Sequence, residues 1–325
     1  MDEKKLIKIT NNEKYLDITW QVNNYCNFKC SYCNPGNYSG TDANNGNLDG
    51  YIGSLQVITD KYREAGYENF KFFFSGGEPT LWKNLIPIAR WAKENLPNVL
   101  IAINTNFSRP LKWWKDNYEL IDDVVASFHV EFSDKEKYRK NALFMYDKLN
   151  YFSCKMLMHE ERFWEVVDFG NELKQILPNY FIEWTPLYDE LSKDARPWQY
   201  KDPEKRKFLE DHSVDSKRSV PQKTLSKPFY PLAVWDDGEI TSAFSNEIII
   251  KRQNFFKGWE CNIGDSIWIN QQGMISMGTC GQVPLLGYHM MRDTSKIGPK
   301  KIICGKEHCM CGTDICIPKV KLNDD

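Results

Sequence analysis

Long apolar runs are absent. No stretch approaches the roughly 20 residues that cross a bilayer, and the Met1-Asp-Glu-Lys-Lys start lacks the apolar segment of a secretory signal. A cytoplasmic protein without a membrane partner is therefore expected. An excess of either charge is missing too: 42 Lys and Arg stand against 44 Asp and Glu, a net of −2. That balance gives no electrostatic footprint for nucleic acid. The lysine patches at 201–207 and 296–301 are short and read as solvated surface. Structural disulfides are not expected either, because the cytoplasm is reducing. What is present is a chain of 325 residues, 42% apolar and 26% charged, long enough for one large or two ordinary domains.

Its ten cysteines are clustered: three lie at 26–33, six lie between 261 and 316, and Cys154 stands alone in an apolar run. Cys154 reads as a small core residue. Cys26, Cys30 and Cys33 follow an alternating, strand-like run with C-x3-C-x2-C spacing. Thiolates this close can share one metal centre, and cysteine-held iron–sulfur clusters use such short spacings. A structural zinc site wants four closed ligands, and no further Cys or His lies near enough to supply a fourth. Three thiolates on a four-iron cluster would leave one iron open. An incomplete zinc knuckle is the alternative.

Strand and helix signals alternate through the first 185 residues. Strands are expected at 15–22, 70–74, 99–103, 124–130, 153–158 and 180–185. Helical spacing appears at Ile52, Leu55, Ile58, Tyr62 and Ala65, then at 84–96, around Trp113 and Trp114, from Ser133 and at 163–177. Ser133 and Glu136 read as a capping box. Six βα units in a row imply a parallel sheet covered by helices, its strands apolar on both faces. Polar residues gather just after the strands, at the end where barrel active sites are built.

The cysteine run, with Tyr32 directly before Cys33, resembles the signature of the radical S-adenosylmethionine (SAM) superfamily. The resemblance implies an α/β fold, a partial (β/α)6 TIM-like barrel, with the cysteine loop after strand one. Cys26, Cys30 and Cys33 would hold a 4Fe–4S cluster whose open iron takes the amino and carboxylate groups of SAM. Gly76-Gly77-Glu78, after strand two, resembles the motif that binds SAM's amino group. Glycines permit close backbone approach, and a carboxylate accepts from an ammonium. Asn104, Asn106 and Ser127 resemble the family's ribose and carboxylate contacts. His129 either lines the same site or is a hydrogen-bonded core residue, and Glu131 follows it. An adenine contact near Met156 and Met158 is expected although the family's glycine-rich segment is not evident. A flavodoxin- or ferredoxin-type electron donor is implied as partner, with a small-molecule or peptide substrate. No general acid or base stands out.

Residues 187–234 read as a charged connector, with a helix within 191–208, and residues 1–14 as a short N-terminal extension. The barrel is assigned to 15–186 and a second domain to 235–325. In the latter, Ile267 and Ile269, the turn at 271–273, and Ile275 and Met277 form a hairpin that brings Cys261 near Cys280. The run at 247–251 reads as β-branched strand. The tail adds Cys304, Cys309, Cys311 and Cys316, and only His289 and His308 share the stretch, so a thiolate-only site is expected, for zinc or iron–sulfur. The arrangement resembles the auxiliary-cluster region of the SPASM/twitch group, and the one-cluster twitch form fits better. That resemblance implies an auxiliary 4Fe–4S cluster on Cys261, Cys280, Cys309 and Cys311, with Cys304 a rival and Cys316 as core packing. The function expected is reductive cleavage of SAM and hydrogen abstraction, ending in oxidation or rearrangement of a substrate. The alternatives are a maturase for a separately delivered peptide, and a non-catalytic zinc or iron–sulfur protein. With so few residues before the first strand, no fused peptide-recognition domain is expected.

Overall fold

The computed structural model describes residues 4–41, 47–177, 181–187, 200–212, 214–215, 228–289 and 297–322. After β1 (Leu6–Thr10), the strands β2 (Tyr15–Gln21), β3 (Asn69–Ser75), β4 (Asn98–Thr105), β5 (Asp123–Phe128), β6 (Tyr151–Met158) and β7 (Phe181–Pro186) pair in parallel, each with the next. Helices α1 (Leu48–Glu64), α2 (Leu85–Asn95), α3 (Leu111–Asn117), α4 (Lys135–Met145) and α5 (Phe163–Ile176) fill the crossovers. The result is the expected partial barrel. Asn47 caps α1 by accepting from the Asp49 amide. In α4 the cap is Asp134, which accepts from Lys137 N, and not the expected Ser133. The Ser133 hydroxyl is already taken, as acceptor for His129 N at 3.0 Å.

The two faces of the barrel strands differ in kind. Ile18, Trp20, Phe72, Phe74, Ile101, Met156 and Trp184 are buried in one cluster with helix residues such as Ile58, Tyr62 and Ile88. Each fully buried side chain of this size contributes about 1.5–3 kcal/mol. Their neighbours at period two point the other way. Asp17, Lys71, Asn104, Asp123, Lys155 and Glu183 line an interior chamber of about 340 Å3. The expectation of strands apolar on both faces is corrected accordingly. The barrel interior is a polar chamber, closed on one side by Phe229, Tyr230 and Phe244 from beyond the barrel.

The C-terminal region does not sit apart from the barrel. After α6 (Pro203–Asp211), β8 (Val214–Asp215) adds antiparallel to β7, inside the expected connector. Residues 188–199, 213 and 216–227 of that connector lie outside the described residues. Next come β9 (Leu232–Trp235), β10 (Ile240–Ser242), α7 (Ser245–Ile250), β11 (Glu260–Cys261), β12 (Ser266–Ile269), β13 (Met274–Met277), β14 (Val283–His289), β15 (Ile302–Ile303), α8 (Gly312–Ile315) and β16 (Lys319–Val320). The expected hairpin forms as β12 and β13, but β12 pairs in parallel with β2, Ile267 opposite Ile18, and so extends the barrel sheet. The run at 247–251 is helical where a strand was expected, because Ile248 and Ile249 are both buried on α7.

Residues 1–14 are more than an extension. β1 is an inner strand of a second sheet, ordered β10-β9-β1-β16-β11-β15, and Leu6 and Ile9 belong to that sheet's own core with Trp235, Phe256 and Ile315. Deleting residues 1–10 is expected to lower the melting temperature and to open 228–322 to protease, since β9 and β16 each lose one of their two partners and become edges. Unchanged digestion kinetics would show that β1 is dispensable.

Candidate functional site

The cysteine loop leaves β2 and is stitched at once to the loop after β3. Val22 N donates to Ser75 O at 2.9 Å, Gly77 N to Asn23 O at 3.0 Å and Glu78 N to Tyr25 O at 2.7 Å. Gly76 has φ +130, and a Cβ there would lie 2.7 Å from Asn23 O. A Cβ on Gly77 would overlap the Tyr25 carbonyl. Both glycines are thus demanded by the cysteine loop itself. A ligand is not needed to explain them.

Glu78 is fully buried, and its carboxylate accepts from Thr80 N at 3.0 Å, Thr80 Oγ1 at 2.5 Å, Thr105 Oγ1 at 2.7 Å and Asn106 N at 2.7 Å. Burial raises its pKa, and these four bonds pull it back. With its oxygens so committed, the side chain ties the β3 loop to the β4 exit. Three of these bonds fall on Oε1 and only the one from Asn106 N on Oε2. Asn106 continues the link, its Nδ2 donating to Asn27 Oδ1 at 2.9 Å and lying 3.6 Å from Cys26 Sγ. The next residue, Phe107, is held at φ 59, a strained position for a non-glycine residue that turns the chain as it leaves β4.

The other half of the loop rests on β5. His129 Nδ1 lies 3.0 Å from Tyr32 OH and 3.3 Å from Cys30 Sγ, and the Tyr32 and His129 rings stack. Burial lowers the His129 pKa to about 4, against the pull of Glu131, so the imidazole is neutral at pH 7. Glu131 accepts from Ser31 N at 2.9 Å. Burial pushes Cys26 up to about 11 and Cys30 to about 12, and Cys33 is raised as well. Cys33 adds to the shift of Cys26 and both act on Cys30, so ionisation of these neighbouring thiols is favoured by a cation bound among them. That donor set fits a cluster held by three thiolates. Ser127 Oγ donates to Asn104 Oδ1 at 3.1 Å, and Asn104 lines the chamber wall. The side chains of Met156 and Met158 are buried on the outer face of β6, in the helix-packed core.

The second cysteine group surrounds a cavity of about 450 Å3. Cys261 ends β11, Cys280 follows β13, Cys304 follows β15, and Cys309 and Cys311 precede α8; all five line it. Cys304 therefore joins the other four, while Cys316 faces the barrel chamber beside Asp17 and Lys71. Among the described residues no three of His, Cys, Asp or Glu converge tightly enough for a single metal ion. The thiols instead frame a space for a larger group. Cys261 is pushed up to about 12 by burial, eased by the ammonium of Lys319. Lys319 is only 4% exposed and donates to the Asp314 and Ile315 carbonyls at 2.5 and 2.9 Å. The side chain of Asp314 accepts from Thr279 N and Oγ1, joining the hairpin end to α8.

A parallel α/β barrel with a three-thiol loop bonded to a Gly-Gly-Glu loop at the carboxyl ends of its strands defines the class of protein. Residues 20–168, most of the barrel, match the profile of the Radical SAM superfamily, whose enzymes use a 4Fe–4S cluster and SAM. It is 30% identical over 107 residues to the GTP 3′,8-cyclase of Klebsiella pneumoniae subsp. pneumoniae, covering 32% of this chain and 31% of that one. It is 28% identical over 113 residues to the GTP 3′,8-cyclase of Pasteurella multocida, covering 35% and 29%. The chain thus spans about a third of these relatives. The structure of native anSMEcpe with bound AdoMet shares the fold at a TM-score of 0.50 and 17% identity, covering 87% of this chain and 80% of that one. No helix among the described residues is long and apolar enough to cross a membrane.

Several residues of these sites were not singled out from sequence. Thr105, bonded to Glu78, and His159, whose ring meets Tyr32 edge-on, carry no motif. The charged residues of the chamber do leave a signal, since Asp17, Lys71, Asp123, Lys155 and Glu183 each interrupt an apolar strand at an alternate position.

One consequence of the glycine geometry is measurable. Gly77→Val is expected to displace the cysteine loop, lowering stability by about 1–3 kcal/mol or more, as overpacking against backbone does, and with it the iron bound at Cys26–Cys33. If the variant keeps its melting temperature and loses only SAM affinity, the glycine serves a ligand after all.

Proposed function

We propose that this chain cleaves SAM reductively and uses the resulting 5′-deoxyadenosyl radical to abstract hydrogen from a substrate in the barrel chamber, in an oxidation or rearrangement assisted by one auxiliary 4Fe–4S cluster. Cys26, Cys30 and Cys33 hold the SAM cluster. Tyr32 and His129 fix Cys30 from behind, and the 76–78 backbone with Asn106 frames the space for SAM's amino-acid end. Asn104 and Ser127 carry that frame toward the chamber. Cys261, Cys280, Cys309 and Cys311 hold the auxiliary cluster, and Cys304 competes for one of those places.

The observation that carries this reading is the joining of the three-thiol loop to the 75–78 loop by three backbone bonds, at the carboxyl ends of strands that enclose a polar chamber. A zinc-binding adaptor has no use for that chamber. The one-turn helix α8 supports the auxiliary role: Cys311 and Asp314 face the thiol cavity, while Gly312, Thr313 and Cys316 face the chamber. A substrate electron would have only this wall to cross, and the thiols themselves stay out of the substrate's reach. Electron acceptance therefore fits better than direct ligation of substrate.

The similar cyclases act on GTP, but the chamber walls set two lysines, Lys71 and Lys155, against three carboxylates, Asp17, Asp123 and Glu183, and so lack the excess of positive charge that favours a triphosphate. A substrate with less negative charge suits these walls better. The test is anaerobic reconstitution with iron and sulfide, then incubation with SAM and dithionite. Brown protein that forms 5′-deoxyadenosine is the expected result. Fully loaded protein that leaves SAM intact would falsify the reading.

A further inference from the structure

Among the described residues, Lys155 and Glu183 in the chamber enter no ion pair. Asp17 and Lys71 neutralise each other at 2.8 Å. Asp123 accepts from Tyr230 OH at 3.0 Å. Lys155 and Glu183 are different. They stand opposite each other on β6 and β7, in register and both turned inward. Glu183 Oε1 accepts from Tyr151 OH and Ser153 Oγ, both at 3.0 Å, and its Oε2 carries no hydrogen bond among the described residues.

An ammonium and a carboxylate carried at paired positions of adjacent strands, whose backbones lie about 4.8 Å apart, can grip the two ends of one ligand. We propose that Lys155 and Glu183 bind the anionic and cationic ends of a small zwitterion, an amino acid or close analogue, as the substrate. The proposal rests on the chamber being where the radical meets its substrate. Size agrees: about 340 Å3 is at the low end of the roughly 300–1,000 Å3 of ligand pockets. A plain amine would leave Lys155 unmatched, a plain acid would leave Glu183 unmatched, and an unmatched charge out of water is costly. Phe73, Phe229 and Phe244 supply the apolar wall for a side chain.

The test is calorimetric titration of the reconstituted, SAM-saturated enzyme with the proteinogenic amino acids. Each binder is then compared with its decarboxylated amine and its deaminated acid. At least one amino acid is expected to bind, with amine and acid about tenfold weaker or worse. Lys155→Met should close the gap between amino acid and amine, and Glu183→Gln the gap between amino acid and acid, with melting temperatures retained. A merely structural role cannot exchange preferences in this way. The proposal is overturned if no amino acid binds, if both gaps persist in the variants, or if only peptides with blocked ends bind. 5′-Deoxyadenosine formation by the wild type is measured separately. If it fails while amino acids bind, the radical reading falls and the binding assignment stands.

Discussion

Replacing Cys26, Cys30 and Cys33 together with alanine is expected to reduce 5′-deoxyadenosine formation to background and to remove about half of the protein's iron, the share of one of two four-iron clusters. The argument begins with the thiols. Burial holds all three protonated in the absence of a cation, so iron binding must drive their ionisation. Each alanine removes one ligand, and none of their neighbours can substitute. His129 stands close by, but its Nδ1 remains engaged by Tyr32, and Asn106 is tied to Asn27. The barrel should survive. Its loops are joined through backbone bonds of Val22, Gly77 and Glu78, which need no sulfur. Melting temperature should therefore move little, and the iron that remains should be that of the tail cavity. Persistent SAM cleavage in the triple variant would remove the loop from the chemistry.

The chemistry was legible where it is local. A cysteine triplet eight residues long, and two glycines with a glutamate after an apolar run, need no knowledge of the fold to be noticed. What sequence could not supply was decided by long-range pairing. Ile267 was readable as one arm of a hairpin, but that its strand lies beside β2 depends on a contact some 250 residues distant, Ile267 with Ile18. The same holds for Leu6 and Ile9, ordinary apolar residues near a terminus until β9 and β16 close on them. At Glu247–Ile250 local propensity pointed the wrong way. Three consecutive isoleucines suit a strand, yet their burial and an ion pair between Lys251 and Glu247, one turn apart, accompany a helix. Glu78 shows the converse limit: the motif was right in place, while the partners of its carboxylate became visible only in three dimensions.

The tail cysteines were the least resolved, because six thiols within 56 residues allow many ligand sets, and the fold separates them by direction. A Cys261→Ala/Cys280→Ala variant is expected to lose the tail cluster, again about half of the iron, and to melt roughly 5 °C lower or more. Five thiols reach this cavity from four separate pieces of chain: the end of β11, the turn after β13, the turn after β15, and the segment before α8. A group bound there ties the C-terminal tail to the hairpin, so part of its binding free energy is folding free energy. Cys316→Ala is the internal comparison. Its thiol faces Asp17 and Lys71 in the chamber, and its loss should leave iron at the wild-type level. SAM cleavage without substrate should persist in the double variant, because it needs only the loop at Cys26–Cys33. Conversion of substrate should fail, because the electron released on oxidation then has no acceptor behind α8. Iron, 5′-deoxyadenosine and product measured on the same preparation separate the cases. Product formed at the normal rate would make the tail site a structural clasp and end its redox role.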